Sequence, residues 1–174
     1  MRTIKILNKN TFNQMMIDNN INSDTISTEK SYFISINDTE GPKSTSFFQD
    51  VESDNLLKLY FDDTVGDVDL EGIEYSTNIN IKKLKKRQLK EMTEEQGKEI
   101  ISFIQMIKDN NTDYNLIIHC TAGQNRSGSI GKFAADFLET GQKQLLLDNP
   151  YIKGNSVVTR ILNKLWLWSH YDKD

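Results

Sequence analysis

Two residues of this chain have the types and the spacing to do chemistry together. They are Cys120, the single cysteine, and Arg126, six positions later. A thiolate is the reactive form of cysteine, and a guanidinium offers a planar fork that grips two oxygens of a phosphate at once. Between them runs the short polar stretch Thr121-Ala122-Gly123-Gln124-Asn125. Gly123 lets this loop adopt backbone angles that other residues resist, so that successive N–H groups can turn inward as an anion nest. The whole is a cup for a tetrahedral dianion with sulfur at its base. The matching chemistry is phosphoryl transfer to Cys120 followed by hydrolysis of a cysteinyl-phosphate. Arg126 and the backbone amides supply the charge stabilisation, so the scheme calls for no metal and no cofactor.

Such a cup needs a strand before it and a helix after it. Leu116, Ile117 and Ile118 form a brief apolar run suited to a buried strand. Ile130, Phe133, Ala134, Phe137 and Leu138 recur at helical spacing, which predicts a helix from near Ser127. Its N-terminal N–H groups and positive dipole end would face the loop and favour negative charge there. Elsewhere, Thr3–Leu7, Ser31–Asn37 and Leu56–Phe61 read as strands. Thr11 is the expected cap of a helix carrying Phe12, Met15 and Met16. Thr93-Glu-Glu-Gln96 matches a capping box ahead of Ile100, Ile101, Phe103, Ile104 and Ile107, a helix ending near Lys108. Two further helices are expected, over Gln142–Leu147 and from Ser156 to about Ser169, with Asn149-Pro150 breaking between them. Trp166 and Trp168 read as core and surface packing, and His170 as inert. Strands early, helices late and a strand–loop–helix unit over Tyr114–Leu138 predict one α/β domain spanning 1–174. Its central, mostly parallel sheet would be flanked by helices.

At 174 residues, with 37% apolar and 26% charged residues, the chain suits one globular domain with a hydrophobic core. A net charge of −4 argues against nucleic acid or an anionic membrane as the general partner. A lone cysteine rules out an internal disulfide framework and fits a reducing compartment. No apolar run approaches the roughly 20 residues that span a bilayer. The start, Met-Arg-Thr-Ile-Lys-Ile-Leu-Asn, has no apolar core of a secretion signal, so a cytoplasmic location is expected. The stretch at about 64–92 is an insert of uncertain structure. It is acidic at first, with an extended piece within Glu71–Ile81 and then the basic run Lys82-Lys-Leu-Lys-Lys-Arg87. The run reads first as a solvated face, with substrate steering as the alternative.

His119-Cys120-Thr121-Ala122-Gly123-Gln124-Asn125-Arg126-Ser127 resembles the His-Cys-x-x-Gly-x-x-Arg-Ser/Thr signature of the cysteine-dependent protein tyrosine phosphatase superfamily. The resemblance implies a phosphatase-type strand–P-loop–helix. Cys120 would be the nucleophile and Arg126 the phosphate clamp. Thr121, Ala122, Gly123, Gln124 and Asn125 would bind phosphate through backbone N–H groups. Ser127 would stabilise the leaving thiolate, and His119 would support the loop.

The family also uses an aspartic acid on a separate loop to protonate the leaving alcohol and later activate water. Compact phosphatases of bacteria and their viruses carry Phe-x-Asp at a strand end, and Phe61-Asp62-Asp63 is similar. That likeness selects Asp63. Asp62 is its rival, though it reads more readily as a solvated loop carboxylate, and Asp50, Asp67 and Asp69 are further alternatives. The chain's size suits the compact, dual-specificity-like branch, and the neutral loop side chains argue against inositol lipids. The expected activity is hydrolysis of phosphotyrosine on a protein partner, with phosphoserine and phosphothreonine left open. An RNA 5′-phosphatase of the same mechanism and a non-catalytic phosphate-binding module are the alternatives.

Overall fold

The computed structural model describes residues 2–64, 89–110 and 113–171, without the side chains of 169–171. Among these residues the chain is an α/β domain of four strands and five α-helices. The strands are β1 (Arg2–Asn8), β2 (Ser31–Asn37), β3 (Leu56–Tyr60) and β4 (Tyr114–Cys120). The helices are α1 (Lys9–Asp18), α2 (Glu94–Asn110), α3 (Arg126–Phe137), α4 (Gln142–Asp148) and α5 (Ser156–Tyr171). The sheet is wholly parallel in the order β1-β4-β2-β3. Every strand therefore delivers its carboxyl end to the same edge, which is where open parallel sheets place ligands.

Both faces of the sheet are covered, which explains why its strands read as apolar runs rather than clean alternations. On one face Ile4, Ile6, Ile34, Ile36, Leu116 and Ile118 pack against Ile100, Ile104 and Ile107 of α2, Ile130 of α3 and Leu162 of α5. On the other, Leu7, Phe33 and Ile117 meet Phe12 and Met16 of α1, with Ile21, Ile26 and Phe48 closing the layer. Ile21 and Ile26 belong to a segment whose composition is mostly polar, and Ile26–Thr28 forms a single 3₁₀ turn. The edge strand β1 is closed off by Asn149. Its Oδ1 accepts from Ile6 N at 2.7 Å and its Nδ2 donates to Ile4 O at 3.0 Å, satisfying backbone that an edge leaves open.

The capping box forms as expected. Thr93 N donates to Gln96 Oε1 at 2.9 Å and Gln96 N to Thr93 Oγ1 at 3.2 Å. Gln96 Nε2 also donates to Tyr60 O at 2.9 Å, fastening the start of α2 to the end of β3. The expected Thr11 cap is corrected. α1 begins at Lys9, and Asn8 is its N-cap, with Oδ1 accepting from Thr11 N at 2.8 Å. β1 passes straight into α1 without a loop, so the last strand residue serves as the cap. Trp166 packs on Phe137, ring centroids 4.5 Å apart, while Trp168 is exposed. The extended piece within Glu71–Ile81, the run Lys82–Arg87, Asp67 and Asp69 lie outside the described residues, as does the His170 side chain. No helix among the described residues is long and apolar enough to cross a membrane.

Candidate functional site

Cys120 is the last residue of β4, 1% exposed, in register with Asn8 at the end of β1. Its Sγ lies 3.0 Å from Oγ of Ser127, in the first turn of α3. The loop between them turns on Gly123, at φ +68°. A Cβ there would come within 2.5 Å of Asn8 N and 2.6 Å of Leu7 C, so the loop seats against the β1 backbone only as glycine. Two loop carbonyls are engaged from outside: Thr121 O accepts from Lys9 N at 3.3 Å and Gln124 O from Lys153 N at 3.1 Å. Among the described residues the N–H groups of Thr121 to Asn125 have no hydrogen-bond partner. Carbonyls engaged and N–H groups spare is the pattern of an anion nest. The N-cap of α3, Asn125, makes no side-chain cap bond, so the helix N-terminus is open to an anion as well.

Arg126 opens α3 and is 2% exposed. One terminal nitrogen donates to Phe61 O at 2.6 Å, past the end of β3. The other donates to Thr121 Oγ1 at 3.0 Å and pairs with Asp38 Oδ1 at 2.8 Å. Thr121 Oγ1 in turn donates to the same Asp38 oxygen at 3.1 Å. Nε is buried with no partner among the described residues, a donor that a ligand oxygen would satisfy. A cavity of about 270 Å³ opens here, lined by Asp38, Asp62, Asp63, Leu89, Thr121, Ala122 and Arg126.

The two adjacent aspartates go to different tasks. Asp63 is exposed at the rim, held by two amides: Asn125 Nδ2 donates to its Oδ2 at 2.9 Å and Asn155 Nδ2 to its Oδ1 at 2.8 Å. Asp62 corrects the reading of a solvated loop carboxylate. It is 3% exposed and accepts from Thr39 N (3.1 Å), Thr39 Oγ1 (2.6 Å) and Lys90 N (2.9 Å). Its own N–H donates to Lys90 O at 2.7 Å, so it clamps the chain leaving β3 to the chain approaching α2. Asp50 is exposed and is not part of the cavity wall.

A buried polar layer lies beneath the loop. His119 Nε2 is 2.8 Å from Ser35 Oγ, and the ring stacks on Phe12 with centroids 4.1 Å apart. Burial pushes its pKa down to about 3, Lys9 and Arg126 add to this, and the Cys120 backbone opposes it. His119 is therefore a neutral prop. Lys9, 5% exposed, donates to Asn37 Oδ1 (3.0 Å), Lys43 O (2.6 Å) and Thr45 O (2.6 Å), holding the loop that carries Asp38. Burial lowers the Lys9 pKa, and Asp38 acts against that shift.

All the residues of the Cys-to-Arg loop, together with Asp63, Ser127 and His119, meet at this one sheet edge. Sequence reading missed Asp38, Asn155, Lys9, Ser35 and Leu89. Asp38 follows β2 directly, so the rule that parallel strands present ligands at their carboxyl ends points to it. Asn155 directly precedes the expected helix start at Ser156, and no local signal marks it as a partner of Asp63. No family model matches the chain, and no curated protein matches it.

Proposed function

We propose that the chain is a metal-independent phosphatase of the cysteine-dependent protein tyrosine phosphatase superfamily, of the compact dual-specificity-like kind. It would hydrolyse phosphotyrosine through a cysteinyl-phosphate. The observation that carries this reading is the convergence on one cup of Cys120 beside Ser127 (3.0 Å), the N–H groups of Thr121 to Asn125 that have no partner among the described residues, Arg126, and Asp63 at the rim.

In the first step the Cys120 thiolate attacks phosphorus, forming an S–P bond as the P–O bond to the alcohol breaks. Asp63 gives its proton to the leaving oxygen. In the second step water attacks the cysteinyl-phosphate, Asp63 takes the water proton, and the S–P bond breaks to release inorganic phosphate. The Ser127 hydroxyl, 3.0 Å from sulfur, stabilises the departing thiolate. Throughout, the loop amides and the Arg126 guanidinium, whose Nε has no partner among the described residues, bind the equatorial oxygens.

The test is turnover of an aryl phosphate by wild type, Cys120→Ser and Asp63→Ala. Cys120→Ser should be inactive, and Asp63→Ala should lose about 10²–10⁴-fold in kcat. Wild-type turnover no higher than Cys120→Ser would reject the enzyme. Binding of a phosphotyrosine peptide without turnover would leave a phosphate-binding module.

A further inference from the structure

The loop that leaves β2 presents Asp38 to Arg126, yet it has little of its own to hold it in place. From Asp38 to Ser46 it carries no large apolar side chain, and Gly41, Pro42, Lys43 and Thr45 are exposed. Backbone of this kind is fixed by hydrogen bonds rather than by burial. Thr39, near its start, is bonded to Asp62, and Ser46, at its end, lies with its Oγ 3.4 Å from Ser35 Oγ. The middle is held from inside by Lys9.

Lys9 Nζ donates to Lys43 O and Thr45 O, both at 2.6 Å, and to Asn37 Oδ1 at 3.0 Å. The Lys43 carbonyl also accepts from Asp38 N at 3.3 Å, so the ammonium and the Asp38 backbone meet on one atom. Asn37 accepts with its own carbonyl from Phe61 N at 3.1 Å, and Phe61 O takes one terminal nitrogen of Arg126. Both anchors of the guanidinium, Asp38 and Phe61, are therefore one hydrogen bond from a residue that Lys9 grips. On its other side the Lys9 N–H donates to Thr121 O of the phosphate loop at 3.3 Å. Three acceptors converging on one point need three donors on one atom, which among side chains only an ammonium supplies.

We infer that Lys9 is a positioning residue for anion binding: by holding the turn at Lys43 and Thr45 from inside, it fixes Asp38 against Arg126 and so sets the affinity of the cup for phosphate. This rests on reading the Cys120–Arg126 loop as a phosphate site and not on turnover. Without the ammonium the two carbonyls and Asn37 Oδ1 lose their donor. The turn can then move outward, and Asp38 leaves the 2.8 Å contact that orients the guanidinium.

The experiment is calorimetric titration of inorganic phosphate into the full chain, as wild type, Lys9→Met, Lys9→Gln, Asp38→Ala and the two pairs with Asp38→Ala. Lys9→Met keeps the apolar stem and removes the ammonium. It should weaken phosphate about three- to tenfold, within the scale of one charge-assisted hydrogen bond. Lys9→Gln, with two N–H donors, should fall between Lys9→Met and wild type. In the Asp38→Ala background neither substitution should weaken phosphate further, because the effect passes through Asp38. A direct pull of the ammonium on the anion, or a general loosening of the fold, would persist without Asp38. Equal affinity in Lys9→Met and wild type overturns the inference, and so does an equal loss with and without Asp38. Should urea unfolding show that Lys9→Met does not fold, Lys9→Gln is judged by the same two comparisons. No phosphate binding by the wild type would remove the cup and Lys9's role together. Phosphate binding with the expected coupling, but no turnover of an aryl phosphate, would end the enzyme reading and leave Lys9 in this role.

Discussion

Asn155 should govern catalysis without touching substrate, and the bonds it makes allow its effect to be separated from stability. Its Oδ1 accepts from Val158 N at 3.1 Å, capping α5. Its Nδ2 donates to Asp63 Oδ1 at 2.8 Å and to Thr64 O at 2.6 Å. Its own backbone is gripped by Ser129, whose Oγ accepts from Asn155 N at 2.7 Å and donates to Asn155 O at 3.0 Å. Asn155→Ala removes the cap, worth about 1 kcal/mol, and leaves a buried carbonyl short of a donor, worth about another 1–2 kcal/mol. Asn155→Ser keeps a capping oxygen but is too short to reach Asp63. Among the described residues Asp63 then keeps only the Asn125 amide, 2.9 Å away. General acid catalysis contributes about 10²–10⁴-fold, so losing one of two supports should cost roughly tenfold in kcat. The loss should be larger for phenyl phosphate than for 4-nitrophenyl phosphate, whose leaving group needs a proton less. In an Asp63→Ala background the serine variant should add nothing, because the two residues act as a unit. If Asn155→Ser costs as much without Asp63 as with it, the positioning argument is wrong. Urea unfolding should find Asn155→Ser close to wild type and Asn155→Ala about 2–3 kcal/mol less stable.

Two further outcomes follow from the buried polar layer and the arginine's partner. Asp38→Ala should weaken binding of inorganic phosphate about tenfold, the scale of one charge-assisted hydrogen bond, and Asp38→Asn should recover most of it. Equal affinity for phosphate in Asp38→Ala and wild type, by calorimetry, would show that Arg126 needs no orientation from Asp38. His119 is neutral in the fold down to about pH 3, while the unfolded chain takes up its proton near pH 6.5. Its contribution to stability is therefore full above pH 6.5 and is lost as pH falls below it, by about 1.4 kcal/mol between pH 7.5 and 5.5. Urea titrations at the two pH values should find this difference in wild type and not in His119→Asn; equal differences in both would refute it.

The unit Tyr114–Leu138 was legible because its information is local. A strand-forming run, a glycine where φ is positive, and a helical stripe follow one another within a short stretch. The capping box at Thr93 was legible for the same reason, since both of its bonds close within three residues. Asn8 was missed as a cap because the rule looks for a loop before a helix, and here there is none. Asp38 and Asn155 were missed for a different reason. Asp38 reaches Arg126 across 88 positions and Asn155 reaches Asp63 across 92. Only the order β1-β4-β2-β3, which sets β4 between β1 and β2, brings those strand ends together. Asp62 and Asp63 show the limit most clearly. They are adjacent and chemically identical, and nothing local says which is buried. The choice is made by Thr39 and Lys90 on one side and by two asparagine amides on the other.

The same arrangement bears on how the cup can hold a dianion. Among the described wall residues Arg126 is the one cation, and three carboxylates share the wall with it, Asp38, Asp62 and Asp63. Lys9 is nearby, but its ammonium is committed to one side-chain oxygen and two backbone carbonyls. A net field from these residues would repel an anion rather than draw it in. From the described residues, attraction can therefore come only at contact range, from loop N–H groups and an arginine whose Nε has no partner among them. That explains why the loop's backbone geometry is so tightly constrained. With little long-range help from the described residues, the seat of Gly123 against Asn8 and Leu7, at distances no side chain would allow, sets the inward curve of the amides on which the proposed binding depends.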